Sequence, residues 1–325
     1  MNLSKIKFGF VIPQGWRNDL PRSSPVTQFK YSQDMATAAE KNGFDAVYSY
    51  DHFIPHYRYR KTGNFFECFT LLSALSTSLK RMRIGQIVTC NSYRNPALLA
   101  KMIATLDVIT NGRAELGIGA GWYEEEYIAY GYQYLPDTTR IMQLEESIRI
   151  IKKLWIQKIA NFRGEYYSVN GARCFPKPLQ RPHPTIMVGG AGEKFLLKVA
   201  AKYADRYNLY FGSPEVMKRK IDILKEYNSQ DRKIEYSIVL PCLIVQEHDQ
   251  LKKIIKKIGK QKMTVLEFKK SFAGGLTAGT IDDVMEGISQ YVNIGVNHFV
   301  FHFLHLDKYT LKEFSKIIKK LKTPL

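Results

Sequence analysis

The sequence predicts an α/β protein, a (β/α)8 barrel with insertions after its fourth and seventh strands, on three observations. Eight short apolar segments rich in β-branched and aromatic residues recur along the chain. Helical segments separate them, and no linker or low-complexity stretch breaks the alternation. Barrels of this type exceed the usual domain length of about 100–200 residues, so the 325 residues are expected to form one domain, 1–325.

The strands are expected at 6–13, 44–51, 82–90, 113–121, 184–190, 206–212, 235–245 and 297–304. Helices are expected at Phe29–Asn42, Glu67–Leu79, Pro96–Ile109, Thr139–Trp155, Glu193–Tyr203, Pro214–Tyr227, Ile281–Asn293 and Thr310–Leu321. Asn95-Pro96 opens the third helix, because proline suits a first helical turn. In the fourth, Ile141, Leu144, Ile148, Ile151 and Trp155 recur at spacings of three and four, with Thr138 and Thr139 as N-cap candidates. Two stretches interrupt the pattern, 160–182 with the strand-like "GEYYSVNG", and 259–279. Both are expected near the barrel mouth.

The fourth strand runs into "RAELGIGAGWYEEEY" (113–127), whose glycines imitate a dinucleotide-binding loop. That loop needs a third glycine where Trp122 stands, so the fingerprint fails. Along a strand, Glu115, Gly117 and Gly119 share one face and Ala114, Leu116 and Ile118 the other. With the aliphatic face on the helices, the glycines point into the barrel and leave open volume for a flat ring at its C-terminal end.

Composition limits the partners. Lys+Arg 48 against Asp+Glu 30 gives a formal +18, but "LKKIIKKIGK" (251–260) and "FSKIIKKLK" (314–322) read as amphipathic helices with a solvated lysine face. Neither nucleic acid nor membrane is expected as a partner, and a small molecule is. No apolar run of about 18 residues exists, so a cytoplasmic protein is expected. Cys68, Cys90, Cys174 and Cys242 are isolated thiols without metal or disulfide spacing. His298, His302 and His305 lack a common face, and no metal site is expected.

Two motifs carry chemistry. "SYDHFIPH" (49–56) ends the second strand and puts Asp51 and His52 at the rim; either the carboxylate orients an imidazole that moves protons, or the pair caps the loop. "PTIMVGGAGEKF" (184–195) ends a buried strand at Gly189, Gly190, Ala191 and Gly192 before a helix, an arrangement whose free amides suit a phosphate.

In this order the segments "KFGFVIPQ", "GFDAVYSYDHF", "YRNPALLAK", "GRAELGIGAGWYEEEYIAYG", "RIMQLEESIRIIKKLW", "GEYYSVNGARCFPKPLQRPHPTIMVGGAGEK", "AAKYADRYN" and "AGTIDDV" resemble the bacterial-luciferase-like superfamily, in particular its coenzyme F420 (deazaflavin)-dependent branch. The resemblance covers nearly the whole chain. It implies a TIM barrel, an oxidoreductase passing hydride between F420 and a small organic substrate, and a homodimer. An FMN-dependent monooxygenase of the same fold is the alternative cofactor reading, and a basic, cofactor-free interaction module the alternative of another class. The resemblance implies that Asp51 and His52 border the reactive ring face, that Ile87, Val88 and Thr89 form a bulge with a non-prolyl cis peptide behind the ring, and that Gly189–Gly192 hold the cofactor phosphate. His52 is the expected proton manager and Asp51 its orienter, with Gly119 and Gly121 beside the ring and Trp122 as a pocket wall. Sugar-phosphate dehydrogenases of this branch carry a catalytic Glu and a Trp where this chain has Trp122 and His56. The match is nearer to relatives with "GWxxxE".

Overall fold

The fold is that of a computed structural model, which describes residues 6–56, 62–257, 264, 267–268, 271–272 and 274–322. All eight expected barrel strands are present. They are β1 (Lys7–Val11), β2 (Ala46–Ser49), a third strand in two pieces, β3 (Arg83–Gln86) and β4 (Thr89–Cys90), then β5 (Leu116–Gly119), β8 (Ile186–Gly189), β9 (Arg206–Tyr210), β10 (Glu235–Ile244) and β12 (His298–Phe303). They pair in parallel in the order β3-β2-β1-β12-β10-β9-β8-β5-β4, and a bridge from Ile84 to Ala114 brings the two ends together. A short strand not expected from the sequence, β11 (Thr277–Gly279), adds in parallel to the end of β10.

The third strand explains the closure. Ile84 faces Ala114 and Thr89 faces Ile118, so five steps along one strand match four along the other. One extra residue must bulge out. The bulge holds a cis peptide between Ile87 and Val88, as the resemblance implies.

The helices surround the barrel: α1 (Pro25–Lys41), α2 (Cys68–Ser76), α3 (Pro96–Ile109), α4 (Glu124–Ala129), α5 (Asp137–Ile156), α6 (Leu196–Tyr203), α7 (Pro214–Tyr227), α8 (His248–Lys257), α9 (Ile281–Asn293) and α10 (Lys308–Lys322). Local chemistry sets their starts. Asn95 caps Ala97 N–H ahead of Pro96, and Thr280 and Asp283 form a reciprocal capping box. The start of α5 differs from expectation: the capping position is Pro136, extended at ψ 149°, and Thr138 and Thr139 lie inside the first turn. Its apolar stripe behaves as read, with Leu144, Ile148, Ile151 and Trp155 buried. One core cluster runs from Ile6 to Leu321 and joins the inner helix faces to the outward side of the strands.

The lysine-rich helices are amphipathic as expected. In α10, Phe314, Ile317, Ile318 and Leu321 are buried while Lys312, Lys316, Lys319 and Lys320 are exposed, and in α8 Leu251 and Ile255 are buried. The end of that second stripe, Ile258 to Lys260, lies outside the described residues. So does much of the 259–279 insertion. The 160–182 insertion forms a hairpin of β6 (Ala160–Arg163) and β7 (Ser168–Ala172), anchored where Glu146 of α5 accepts from the amides of Glu165, Tyr166 and Tyr167. No helix among the described residues is long and apolar enough to cross a membrane.

Candidate active site at the C-terminal mouth of the barrel

The strands' C-terminal ends open into a cavity of about 560 Å³. Asp51, His52, Ile87, Val88, Thr89, Gly119, Gly121, Trp122, Gly189, Gly190, Ala191 and Gly192 all line it. The sequence thus brings four separate segments, 51–52, 87–89, 119–122 and 189–192, to one place.

The glycines work differently from the open volume expected of them. A Cβ on Gly117 would lie 1.9 Å from Gln86 O, so this glycine admits the backbone entering the bulge, not a ligand. Cβ atoms on Gly119 and Gly189 would lie 2.9 and 2.7 Å from the Val88 side chain. Val88 is therefore seated between two glycines. Gly121 is needed for its φ of 81° and for the approach of the Tyr127 hydroxyl.

The glycine loop divides in the same way. Gly190 has φ 145°, and a Cβ there would sit 2.6 Å from Leu196 Cδ2, so the fold itself requires glycine. At Gly192 a Cβ would make only an ordinary 3.5 Å contact with Leu196. Neither backbone nor packing demands that glycine, and it lines the cavity.

His52 and Asp51 do not form the expected couple. The His52 ring stacks on Trp16 at 3.8 Å between centroids and 10° between planes, and its Nδ1 meets Glu126 Oε2 at 2.7 Å. Glu126 is buried and also accepts from the Phe53 and Ile54 amides and the Tyr93 hydroxyl. A carboxylate can only accept here, so Nδ1 carries a hydrogen, which leaves Nε2 as the acceptor whenever the ring holds a single proton. Glu126, not Asp51, orients the imidazole.

Asp51 instead accepts from Arg94 Nη1 at 2.7 Å, Arg94 Nη2 at 3.0 Å and Cys90 N–H at 2.9 Å. Burial raises its carboxyl above the usual range, against the pull of Arg94 and the Cys90 amide. Through Cys90 it pins the strand that follows the bulge. Burial also pushes the Cys90 thiol up to about 12, which keeps it protonated.

Trp122 stands half exposed at the rim, stacked on Tyr123 and edge-on to His52. Across the mouth, Tyr50 meets His302 Nδ1 at 2.8 Å and Tyr210 lies 3.3 Å from its hydroxyl. The sequence reading missed Trp16, Arg94 and Glu126 as parts of this site. The motif "GWxxxE" does contain the last, since its final residue is Glu126.

The F420-dependent glucose-6-phosphate dehydrogenase of Gordonia bronchialis is 29% identical over 313 residues, covering 87% of this chain and 90% of that enzyme. The FMNH2-dependent dimethylsulfone monooxygenase of Pseudomonas putida is 32% identical over 195 residues, 60% of this chain, and this chain spans about half (52%) of that relative's length. Among solved structures, an F420-dependent secondary alcohol dehydrogenase in complex with an F420-acetone adduct superposes with a TM-score of 0.80 at 20% identity, covering 98% of this chain and 99% of that one. The luciferase-like monooxygenase family model matches residues 6–272, and the chain belongs to that family.

Proposed function

We propose that this protein is an oxidoreductase that binds coenzyme F420 in the mouth cavity and passes hydride between it and a small organic molecule. The observation that carries the reading is the meeting of the Val88 bulge, the Gly192 opening and the Glu126-oriented His52 in one cavity. The cavity falls within the 300–1,000 Å³ usual for cofactor sites. Its bulge offers a flat apolar backing for a ring, and Gly192 lets a phosphate approach the backbone amides. When bound, a 5-deazaflavin supplies a two-electron hydride carrier.

The chain's own residues do the rest. Trp16 and Glu126 fix the plane and tautomer of His52, so that Nε2 can take a proton from the substrate or return it. Trp122 and Tyr123 wall the cavity on the solvent side, and Ile87 and Val88 close it from below. Orientation is the main contribution of such a site, since hydride transfer requires two carbons in near contact.

The partial match to an FMNH2-dependent monooxygenase favours a second reading with reduced FMN in the same cavity. Fluorescence titration of F420 and FMN at low and high salt decides between them. F420 is expected to bind at least about tenfold tighter, about 1.4 kcal/mol, with the gap narrowing as salt rises because its acidic tail carries more charge. Equal affinity, or tighter FMN, overturns the F420 reading in favour of the monooxygenase.

A further inference from the structure

The amides at the end of the glycine loop need something to hold them toward the cavity, because Ala191 and Gly192 are exposed and α6 begins without a side-chain cap. Beneath it lies Lys220, a buried lysine in α7. Its Nζ donates to Ala191 O at 2.7 Å and to Glu193 Oε1 at 2.6 Å. Arg219 Nη2 takes the other oxygen of Glu193 at 2.6 Å.

The geometry points to Lys220 as the positioning residue of the anion-binding loop: by holding the Ala191 carbonyl inward and drawing Glu193 away, it turns the Gly192 amide outward to a phosphate. The first part follows from peptide geometry. The 191–192 bond is trans, so the carbonyl of Ala191 and the N–H of Gly192 point in opposite directions. With the carbonyl fixed on Lys220, the N–H points away from that lysine, and Ala191 and Gly192 both line the cavity. The second part is electrostatic. Glu193 follows the loop directly, and an unrestrained carboxylate there would repel a phosphate. Hydrogen bonds from Lys220 and Arg219 hold it ionised, below the usual glutamate range, and keep its charge paired. Lys220 thus acts through the backbone, without itself reaching the ligand. A neutral side chain of similar length would leave the peptide free to turn and Glu193 with one cation instead of two.

This inference rests on a phosphorylated flavin-type ligand occupying the mouth cavity, and the test separates the two. Dissociation constants are measured by fluorescence for two matched pairs, F420 against its phosphate-free deazaflavin nucleoside, and FMN against riboflavin. The parent, Lys220→Met and Lys220→Arg proteins are compared, with thermal midpoints recorded. For whichever pair the parent binds, Lys220→Met is expected to weaken the phosphorylated member about tenfold and the phosphate-free member less than about twofold. Lys220→Arg, which keeps a cationic donor, is expected to recover most of the loss. Equal weakening of both members, or of neither, overturns the positioning role. If FMN is the ligand, the cofactor proposal fails while Lys220 is still judged on the FMN pair. A parent protein that prefers the phosphate-free members overturns the loop as an anion site and Lys220 with it. Should Lys220→Met not fold, Lys220→Gln is read in its place by the same ratio.

Discussion

At the scale of single residues, the site depends on which carboxylate holds which partner. Glu126 has one oxygen on the Phe53 and Ile54 amides and the other on His52 and Tyr93. In Glu126→Gln the amide oxygen must stay with the two backbone donors, which places the NH2 against His52 Nδ1. The ring then exchanges tautomers and presents an N–H where it had an acceptor. Turnover is expected to fall by roughly 10–10²-fold with cofactor affinity changed less than about threefold, measured as kcat against cofactor Kd. Preserved turnover would show that His52 moves no proton. Asp51, held by Arg94 and the Cys90 amide, is expected to contribute to stability. Asp51→Asn leaves the mostly buried Arg94 with Glu67 as its remaining anionic partner among the described residues, and is expected to cost about 3 kcal/mol in denaturant unfolding, the low end for breaking a buried pair. Unchanged stability together with lost proton transfer would return Asp51 to the role first expected of it.

At the scale of elements, the bulge is a fitted part, and its fit can be tested. The near neighbours of a Cβ on Gly189 are all atoms of Val88, the closest at 2.7 Å, and Gly189 has an ordinary backbone conformation. Gly189→Ala is therefore expected to displace the bulge and weaken cofactor binding about tenfold or more, while Val88→Ala in the same chain restores most of it. Additive losses in the double variant would mean that the two side chains do not compete for one space. This lock-and-seat arrangement could not be read from the sequence. Alternation along the chain was enough to place all eight strands, because each is defined by its own apolar residues. The contact of Gly117 with Gln86 joins residues far apart in sequence, and the glycines alone looked like open space. Glu126 was hidden for a related reason. It sits in "EEE", which reads as a solvated face, and only the fold exposes Glu124 and Glu125 while burying the third. The short α4 and the three-residue β11 were missed because neither is long enough to show a period. α5 begins two residues before the expected Thr139, at Asp137, and its limit is set there by the extended backbone of Pro136 rather than by either threonine.

At the scale of the whole molecule, the barrel separates a reactive end from a structural one. At the N-terminal end Glu115 accepts from Arg206 Nη1 at 2.8 Å and from the Tyr48 hydroxyl at 2.6 Å, and it pairs with Arg83. His298 meets the Tyr48 hydroxyl at 3.1 Å and Ser237 Oγ at 2.7 Å. Burial holds His298 well below the ordinary histidine value of 6.5, with Arg206 adding to the effect. His302, in the upper interior, is lowered in the same way by burial and Arg17. Both rings are therefore neutral in the folded barrel at pH values where the unfolded chain would protonate them. A depressed histidine leaves stability intact above pH 6.5 and removes it as pH falls from there toward the folded value. Each ring costs about 1.4 kcal/mol between pH 7.5 and 5.5, so the pair removes on the order of 2–3 kcal/mol. Glu115 adds nothing in that window. Burial opposes its charge, but Arg206 and Arg83 prevail and hold it well below the glutamate value of 4.5, so its contribution is present above pH 4.5 and disappears only under stronger acid. Two stages of acid weakening are expected, the first from the histidines and the second from the carboxylate. Urea unfolding at pH 7.5, 6.5 and 5.5 checks the first, with His302→Gln expected to remove about half of the loss because glutamine does not titrate. A stability that stays flat across that range would mean the two rings keep ordinary proton affinities inside the barrel, and that the polar interior is wetter than its burial implies.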